Sequence, residues 1–154
     1  MKPRKRPGRG PGLSQEIYSL SEAETFAYGE ALGRTLKGGE MILLEGELGA
    51  GKTVFARGIA AGLGIDPAEV GSPTFILVDR HAGRLALFHA DLYRLDQQSE
   101  IFDLGLDEFA AMGAVVVVEW GERLPPVLSQ GALRVRIADL GDDTRRITIG
   151  SARA

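Results

Sequence analysis

The chain contains no cysteine, which excludes disulfides, thiolate nucleophiles and cysteine metal sites. Its two histidines cannot by themselves supply a zinc site of the usual kind. No run of apolar residues approaches the length needed to cross a bilayer, so no membrane partner is expected. No hydrophobic stretch follows the basic N-terminus, as a secretory signal would require. These absences are compatible with a reducing cytoplasm, the expected location. Asparagine is also missing, and with it the NKxD motif by which GTPases read guanine.

What remains is an ordinary globular composition, 44% hydrophobic and 25% charged, in 154 residues that suit one domain with a sizeable core. The charge is unevenly placed. Lys2, Arg4, Lys5, Arg6 and Arg9 fall within the first twelve residues, which hold no acid. Setting those five aside leaves 13 of the 18 basic residues against 21 acids, so the remainder carries −8. The Pro-, Gly- and Arg-rich start cannot bury enough apolar surface to offset its ordering entropy. Residues 1–13 are expected to form a disordered, solvating basic tail, with an arm touching nucleic acid phosphates as the alternative.

The most informative stretch is GELGAGKT, Gly46–Thr53, directly after the apolar run Met41, Ile42, Leu43, Leu44. Strand, glycine-rich loop and helix start follow in the order a phosphate-binding loop requires. Glycines permit the close backbone approach, and the amides of Glu47, Leu48, Gly49, Ala50 and Gly51 can turn inward around an anion. The helix start adds unsatisfied N–H groups and the positive end of its dipole. Lys52 can reach the outer phosphates, and the Thr53 hydroxyl can ligate magnesium.

Around this loop the pattern predicts alternating strands and helices. Ile17–Leu20 reads as a strand, and Ser21 with Glu24 as a capping box for a helix to about Leu36. After the loop, Phe55, Ile59 and Leu63 form one apolar helical stripe, closed by Gly64. Asp66-Pro67 opens a further turn. Thr74–Val78 and Arg84–His89 read as strands joined by a turn at His81–Gly83, and Ser99–Phe109 as helix interrupted at Gly105. Val115–Val118 suits a strand buried on both faces, and Pro125-Pro126 should stop any regular element. Leu133–Ile137 and Arg146–Ile149 alternate as half-exposed strands do. The expected fold is α/β: a single P-loop NTPase-like domain over residues 14–150, with a central, mostly parallel sheet flanked by helices and antiparallel strands added. Residues 151–154 are expected to be a C-terminal tail.

A bound nucleoside triphosphate needs magnesium, and magnesium needs carboxylate help beyond one threonine. Glu119 ends the valine strand, and Asp91 follows another apolar strand in HADLYRL; ligands collect at such carboxyl ends. Thr74, in the SPTF loop Ser72–Phe75, is placed like a GTPase switch threonine, although taken alone the residues favour a Pro-containing turn that starts a strand. His89 reads either as a group near the phosphates or as a satisfied structural histidine. Tyr93 and Trp120 read either as packing aromatics or as rings stacked on a base.

In their order and spacing, GELGAGKT, SPTF, HADLYRL and VVVVEW closely resemble the TsaE family (formerly YjeE), bacterial P-loop ATPases needed for threonylcarbamoyladenosine in tRNA next to the anticodon. The resemblance implies ATP and Mg²⁺ as cofactors, Lys52 and Thr53 as phosphate and magnesium residues, and Glu119 as the magnesium-linked acid. It further implies Asp91 as a switch acid, Thr74 in the switch loop and Trp120 beside the nucleotide. It implies TsaB and TsaD as partners, with TsaD transferring the threonylcarbamoyl group and ATP driving or resetting the complex, so that tRNA is reached indirectly. The basic tail is a departure that the family pattern does not require, and a contact between it and tRNA is suggested by its charge alone. Weak Mg-dependent ATPase activity, stimulated by the partners, is expected, with Lys52, Asp91 and Glu119 as the catalytic set. A P-loop small-molecule kinase and a nucleotide-gated adaptor, in which hydrolysis only times assembly, are the alternatives. Arg80, Arg94 and Arg123 are candidate charge stabilisers, and Arg145 or Arg146 could approach the nucleotide.

Overall fold

The computed structural model describes residues 14–47, 49–71 and 77–151. One seven-stranded sheet runs through the domain in the order β1-β7-β6-β2-β5-β4-β3. The strands are β1 (Ser14–Ser19), β2 (Met41–Glu45), β3 (Val78–Ala82), β4 (Ala86–Asp91), β5 (Val115–Glu119), β6 (Leu133–Gly141) and β7 (Thr144–Ser151). β6, β2, β5 and β4 pair in parallel at the centre, and antiparallel strands close both edges, as expected. The helices are α1 (Glu22–Thr35), α2 (Lys52–Gly62), α3 (Gln98–Phe102), α4 (Leu106–Ala111) and α5 (Pro126–Ser129). Among the described residues no helix is long and apolar enough to cross a membrane.

The central strands are buried on both faces, and period-two alternation divides them between two cores. Ile42, Leu44, Val115 and Val117 pack against Phe55, Ile59 and Leu63 of the α2 stripe. Met41, Leu43, Val116 and Val118 point the other way, onto Leu92, Ile101, Leu106 and Leu124. The same alternation brings Glu119 to the α2 side, in phase with Val115 and Val117. Among the described residues this second core draws nothing from β1, β6 or β7. One face of these strands therefore stays open and polar, which explains their alternating sequence.

Local chemistry sets the helix ends. The Ser21 hydroxyl accepts from the Glu24 amide at 3.1 Å, while the Glu24 carboxylate accepts from the Leu20 amide at 2.8 Å, closing the capping box. At the other end of α1, Arg84 donates to the carbonyls of Leu36 and Gly33, two acceptors left over as the helix ends. Gly105 breaks the α3–α4 segment at φ +72, as the sequence predicts.

Several boundaries differ from expectation. His81 and Ala82 belong to β3, so the turn lies at 83–85; local residue types hide this because the register is set by pairing with β4. Of the expected strand Thr74–Val78, residues 74–76 lie outside the described residues and Val78 starts β3. Pro126 opens α5 rather than preventing it, since a proline at the first helical position loses no needed N–H bond. β6 and β7 run longer than their alternation suggests because Asp142 and Asp143 turn the chain at φ +53 and +64, joining them as a tight hairpin. β7 extends through Ser151, one residue into the expected C-terminal tail.

α1 and α2 lie close enough that glycine is required between them. A Cβ on Gly58 would run into the Phe26 carbonyl oxygen, and one on Gly29 into that of Phe55. Gly33 and Gly62 repeat the contact one turn on. This sets α1 tightly against the helix that carries the phosphate loop. Gly58→Val is expected to cost about 1–3 kcal/mol through overpacking, which for a domain of this size lowers Tm by about 2–4 °C per kcal/mol. Thermal unfolding checks this, and an unchanged Tm would contradict the close approach.

Candidate functional site

The site forms where β2, β5 and β4 end level with one another. Leu44 lies opposite Glu119, and Glu119 opposite Asp91. From the end of β2 the chain enters the glycine-rich loop, with the Ala50 amide donating to the Glu47 carbonyl at 3.0 Å. Gly51, at φ +114, turns the chain into α2, a conformation a side chain would strain. A Cβ on Gly46 would meet the Ile137 carbonyl oxygen of β6, so the loop is seated directly against that strand.

Lys52 opens α2 and is 5% exposed. Its ammonium donates to the carbonyls of Gly46 at 2.6 Å and Glu47 at 2.9 Å, closing the loop on itself. Burial pulls its pKa below the ordinary lysine value, and the carboxylates of Glu119, Glu122, Asp91 and Glu47 oppose that fall. A desolvated cation behind a glycine-rich loop is well prepared for a phosphate, which would relieve the desolvation penalty.

Thr53, next along, donates its hydroxyl to both Glu119 oxygens, at 3.0 and 3.1 Å. Glu119 is buried and also meets His89 Nε2 at 2.7 Å. His89 is therefore no phosphate contact in this arrangement but the buried partner of the acid. Asp91 accepts from the Tyr93 amide at 2.9 Å; burial raises its carboxyl above the usual value, against that hydrogen bond. Glu122 is raised by the same burial.

Trp120 follows Glu119 with φ +58, a left-handed conformation that costs a bulky residue about 1–3 kcal/mol. The strained turn lays its ring 4.2 Å from Lys52 Nζ and 5.0 Å from the ring of Tyr93. On the far wall, Arg145 Nε donates to the Ala50 carbonyl at 2.8 Å, with its guanidinium also held by Asp139 at 3.0 Å. Together these groups line a cleft of about 630 Å³ that also takes in Glu22, Thr25, Leu77, Arg94 and Asp143.

The structure thus brings together Gly49, Gly51, Lys52, Thr53, Asp91, Glu119 and Trp120 in one cleft. Ala50 is buried beneath it, and Glu47 supplies a carbonyl to Lys52. Leu48 and Thr74 lie outside the described residues. Of the five arginines, Arg94 and Arg145 reach the cleft. Arg146 faces away and pairs with Glu16 at 3.7 Å, Arg123 packs near the Tyr93 and Trp120 rings, and Arg80 lies 5.9 Å from the ring of Phe88. Sequence reasoning missed Glu22, Thr25 and Asp143, whose sole signal is that α1 and the β6–β7 hairpin fold over the loop.

Among the described residues no group of three or more His, Cys, Asp or Glu side chains forms a ready metal cage. The donors present are hard oxygens: the Thr53 hydroxyl in contact with Glu119, and Asp91 at the neighbouring strand end. That set fits magnesium, which keeps waters and takes its other ligands from substrate phosphates.

A family model described as threonylcarbamoyl adenosine biosynthesis protein TsaE matches residues 19–147. The chain belongs to the TsaE family. It is 41% identical over 131 residues to the tRNA threonylcarbamoyladenosine biosynthesis protein TsaE of Treponema pallidum, spanning 85% of this chain and 96% of that one. The protein of the same name from Bacillus subtilis is 42% identical over 131 residues, spanning 84% and 81%. The crystal structure of Bacillus subtilis YdiB superposes with a TM-score of 0.70 at 34% identity, covering 90% of this chain and 85% of that one. The fold is thus the nucleotide-binding P-loop fold of this family, and the family's role is tRNA threonylcarbamoyladenosine biosynthesis.

Trp120 is the chain's single tryptophan, so nucleotide entering the cleft is expected to change its emission. Removing one charge-assisted contact forfeits about 1.5–3 kcal/mol, so Lys52→Ala should weaken nucleotide binding by about 10- to 100-fold. A fluorescence titration measures both, and equal affinities would contradict the assignment of Lys52.

Proposed function

We propose that this protein is a Mg-dependent ATPase that serves the threonylcarbamoyl transfer to tRNA by acting on a TsaB–TsaD complex. The observation that carries the reading is the direct contact of the phosphate-loop hydroxyl, Thr53, with the strand-end acid Glu119, beside the buried Lys52. A loop threonine paired with an acid from a neighbouring strand is the arrangement P-loop NTPases use around their metal.

In this reading the ATP phosphates enter the Gly46–Thr53 loop, and Lys52 exchanges its two loop carbonyls for phosphate oxygens. Thr53, Glu119 and Asp91 would hold magnesium, which when bound neutralises charge on the phosphates. The need for a cation is electrostatic. A polyphosphate facing Asp91 and Glu119 alone would be repelled, since the two acids stand level on adjacent strands. Asp91 is the half-buried acid placed to orient the water that attacks the terminal phosphorus, giving ADP and phosphate. Trp120 lies over the Lys52 ammonium, and Tyr93 packs against the Trp120 ring. The guanidinium of Arg145, anchored on Ala50, steadies the loop.

Positioning and charge stabilisation dominate phosphoryl transfer, and an arginine supplied by a partner adds about 10³ to 10⁵ in rate. Here Arg145 is engaged by Ala50 and Asp139, and Arg94 lies exposed at the cleft. Slow turnover alone and faster turnover with partners follows. The small-molecule kinase reading finds no arginine-bearing helical lid among the described residues, which end in β6 and β7.

ATP turnover is expected to be low for the isolated protein and to rise on adding TsaB–TsaD; phosphate release measures it, and equal rates with and without the partners would contradict the reading. Glu119→Ala should impair hydrolysis and Mg-dependent nucleotide binding far more than nucleotide binding in EDTA. Calorimetry that finds ATP binding indifferent to EDTA and to this substitution would refute the metal assignment.

A further inference from the structure

His89 is the most deeply buried of the titratable groups that the proposed reaction leaves without a task among the described residues. It sits on β4 with 1% of its surface exposed. Val117 lies directly opposite on β5, which places Glu119 two residues further along the same face. His89 Nε2 reaches Glu119 Oε2 at 2.7 Å, with the two side chains 1% and 3% exposed. Glu119 in turn accepts the Thr53 hydroxyl on both oxygens. A hydrogen-bonded chain therefore runs from the buried middle of the sheet to the second residue of α2, which borders the cleft. Asp91 follows His89 by two residues on the same strand face, level with Glu119.

We infer that His89 is a positioning residue: by donating Nε2–H to Glu119 inside the sheet, it aims that carboxylate at Thr53 and sets how tightly the site grips a metal–nucleotide complex. Several observations make this more than core filling. A carboxylate accepts and does not donate, so the short contact selects the Nε2–H tautomer and leaves Nδ1 as the other ring atom. That Nδ1 is buried and, among the described residues, has no hydrogen-bond partner. A ring kept for packing alone would carry no reason to leave a polar atom unsatisfied, a cost of about 1–3 kcal/mol. The cost is accepted where the opposite nitrogen holds an acid in place. Without the donor, Glu119 would keep the Thr53 hydroxyl while facing Asp91 across the strand pair, and would be free to turn away from the cleft. Outer groups that orient metal-binding side chains in this way characteristically matter 10- to 100-fold for metal affinity.

The inference rests on the magnesium–nucleotide reading above, and its test separates the two. The probe is Mn²⁺, followed by electron paramagnetic resonance as it binds the full chain saturated with a non-hydrolysable ATP analogue. Wild-type protein should bind Mn²⁺ in this complex. His89→Leu should bind it about 10- to 100-fold more weakly, while analogue affinity in EDTA stays within about twofold by Trp120 fluorescence. His89→Gln, whose amide nitrogen can stand near Nε2, should recover most of the affinity, whereas the shorter His89→Asn should not. If His89→Leu fails to fold, the Gln and Asn pair carries the comparison. Equal Mn²⁺ affinity in wild type, Gln and Asn variants overturns the inference. So does a parallel loss of Tm and of metal-free analogue affinity, which a purely structural histidine would give. No Mn²⁺ binding by the wild-type complex refutes the magnesium reading itself, and the inference with it.

Discussion

The site depends on three strands ending level. Parallel pairing sets Leu44 of β2 opposite Glu119 of β5, and Glu119 opposite Asp91 of β4. Because side chains alternate along a strand, a slip of one residue would send Glu119 into the opposite core, among Val116 and Val118. The four valines Val115–Val118 fill both cores alike, so the register is felt at the end of the run, where a slip would drive the Glu119 carboxylate among apolar side chains and away from Thr53 and His89.

The phosphate loop is tied down from the other side. Gly46 presses on β6, Arg145 of β7 holds Ala50, and glycines let α1 lie directly against α2. These contacts draw in parts of the chain far from the loop in sequence. They also explain why a domain of modest size gives two of its seven strands to an antiparallel hairpin. Its Asp142-Asp143 turn brings Asp143 and Arg145 to the cleft, while the other face of the same hairpin stays open.

Much of this could be read beforehand, and the limits have physical causes. GELGAGKT, the capping box at Ser21 and the valine run were legible because each encodes its structure locally, in backbone geometry, cap chemistry or burial. Glu119 and Asp91 were legible as strand ends. The partner of His89 was not, since the pairing of β4 with β5 determines it and neither strand names its neighbour. Arg145 could not be separated from Arg146 until the hairpin register put one on each face. The end of β3 and the role of Pro126 were misjudged because a turn residue or a proline states only what the backbone permits, while pairing and helix position decide the outcome. Gly29, Gly33, Gly58 and Gly62 looked unremarkable singly and acquire meaning only across the α1–α2 contact.

The central claim is that the Gly46–Thr53 loop, Lys52 and the Thr53–Glu119 pair together hold the phosphates of a magnesium–nucleotide complex. A crystal structure with a non-hydrolysable ATP analogue and Mg²⁺ tests it most directly. The account predicts the phosphates inside the loop, Lys52 Nζ moved from the Gly46 and Glu47 carbonyls onto phosphate oxygens, and the metal beside Thr53 and the Glu119–Asp91 strand ends. A nucleotide bound elsewhere, or Lys52 still closed on its own loop with the analogue present, would contradict it.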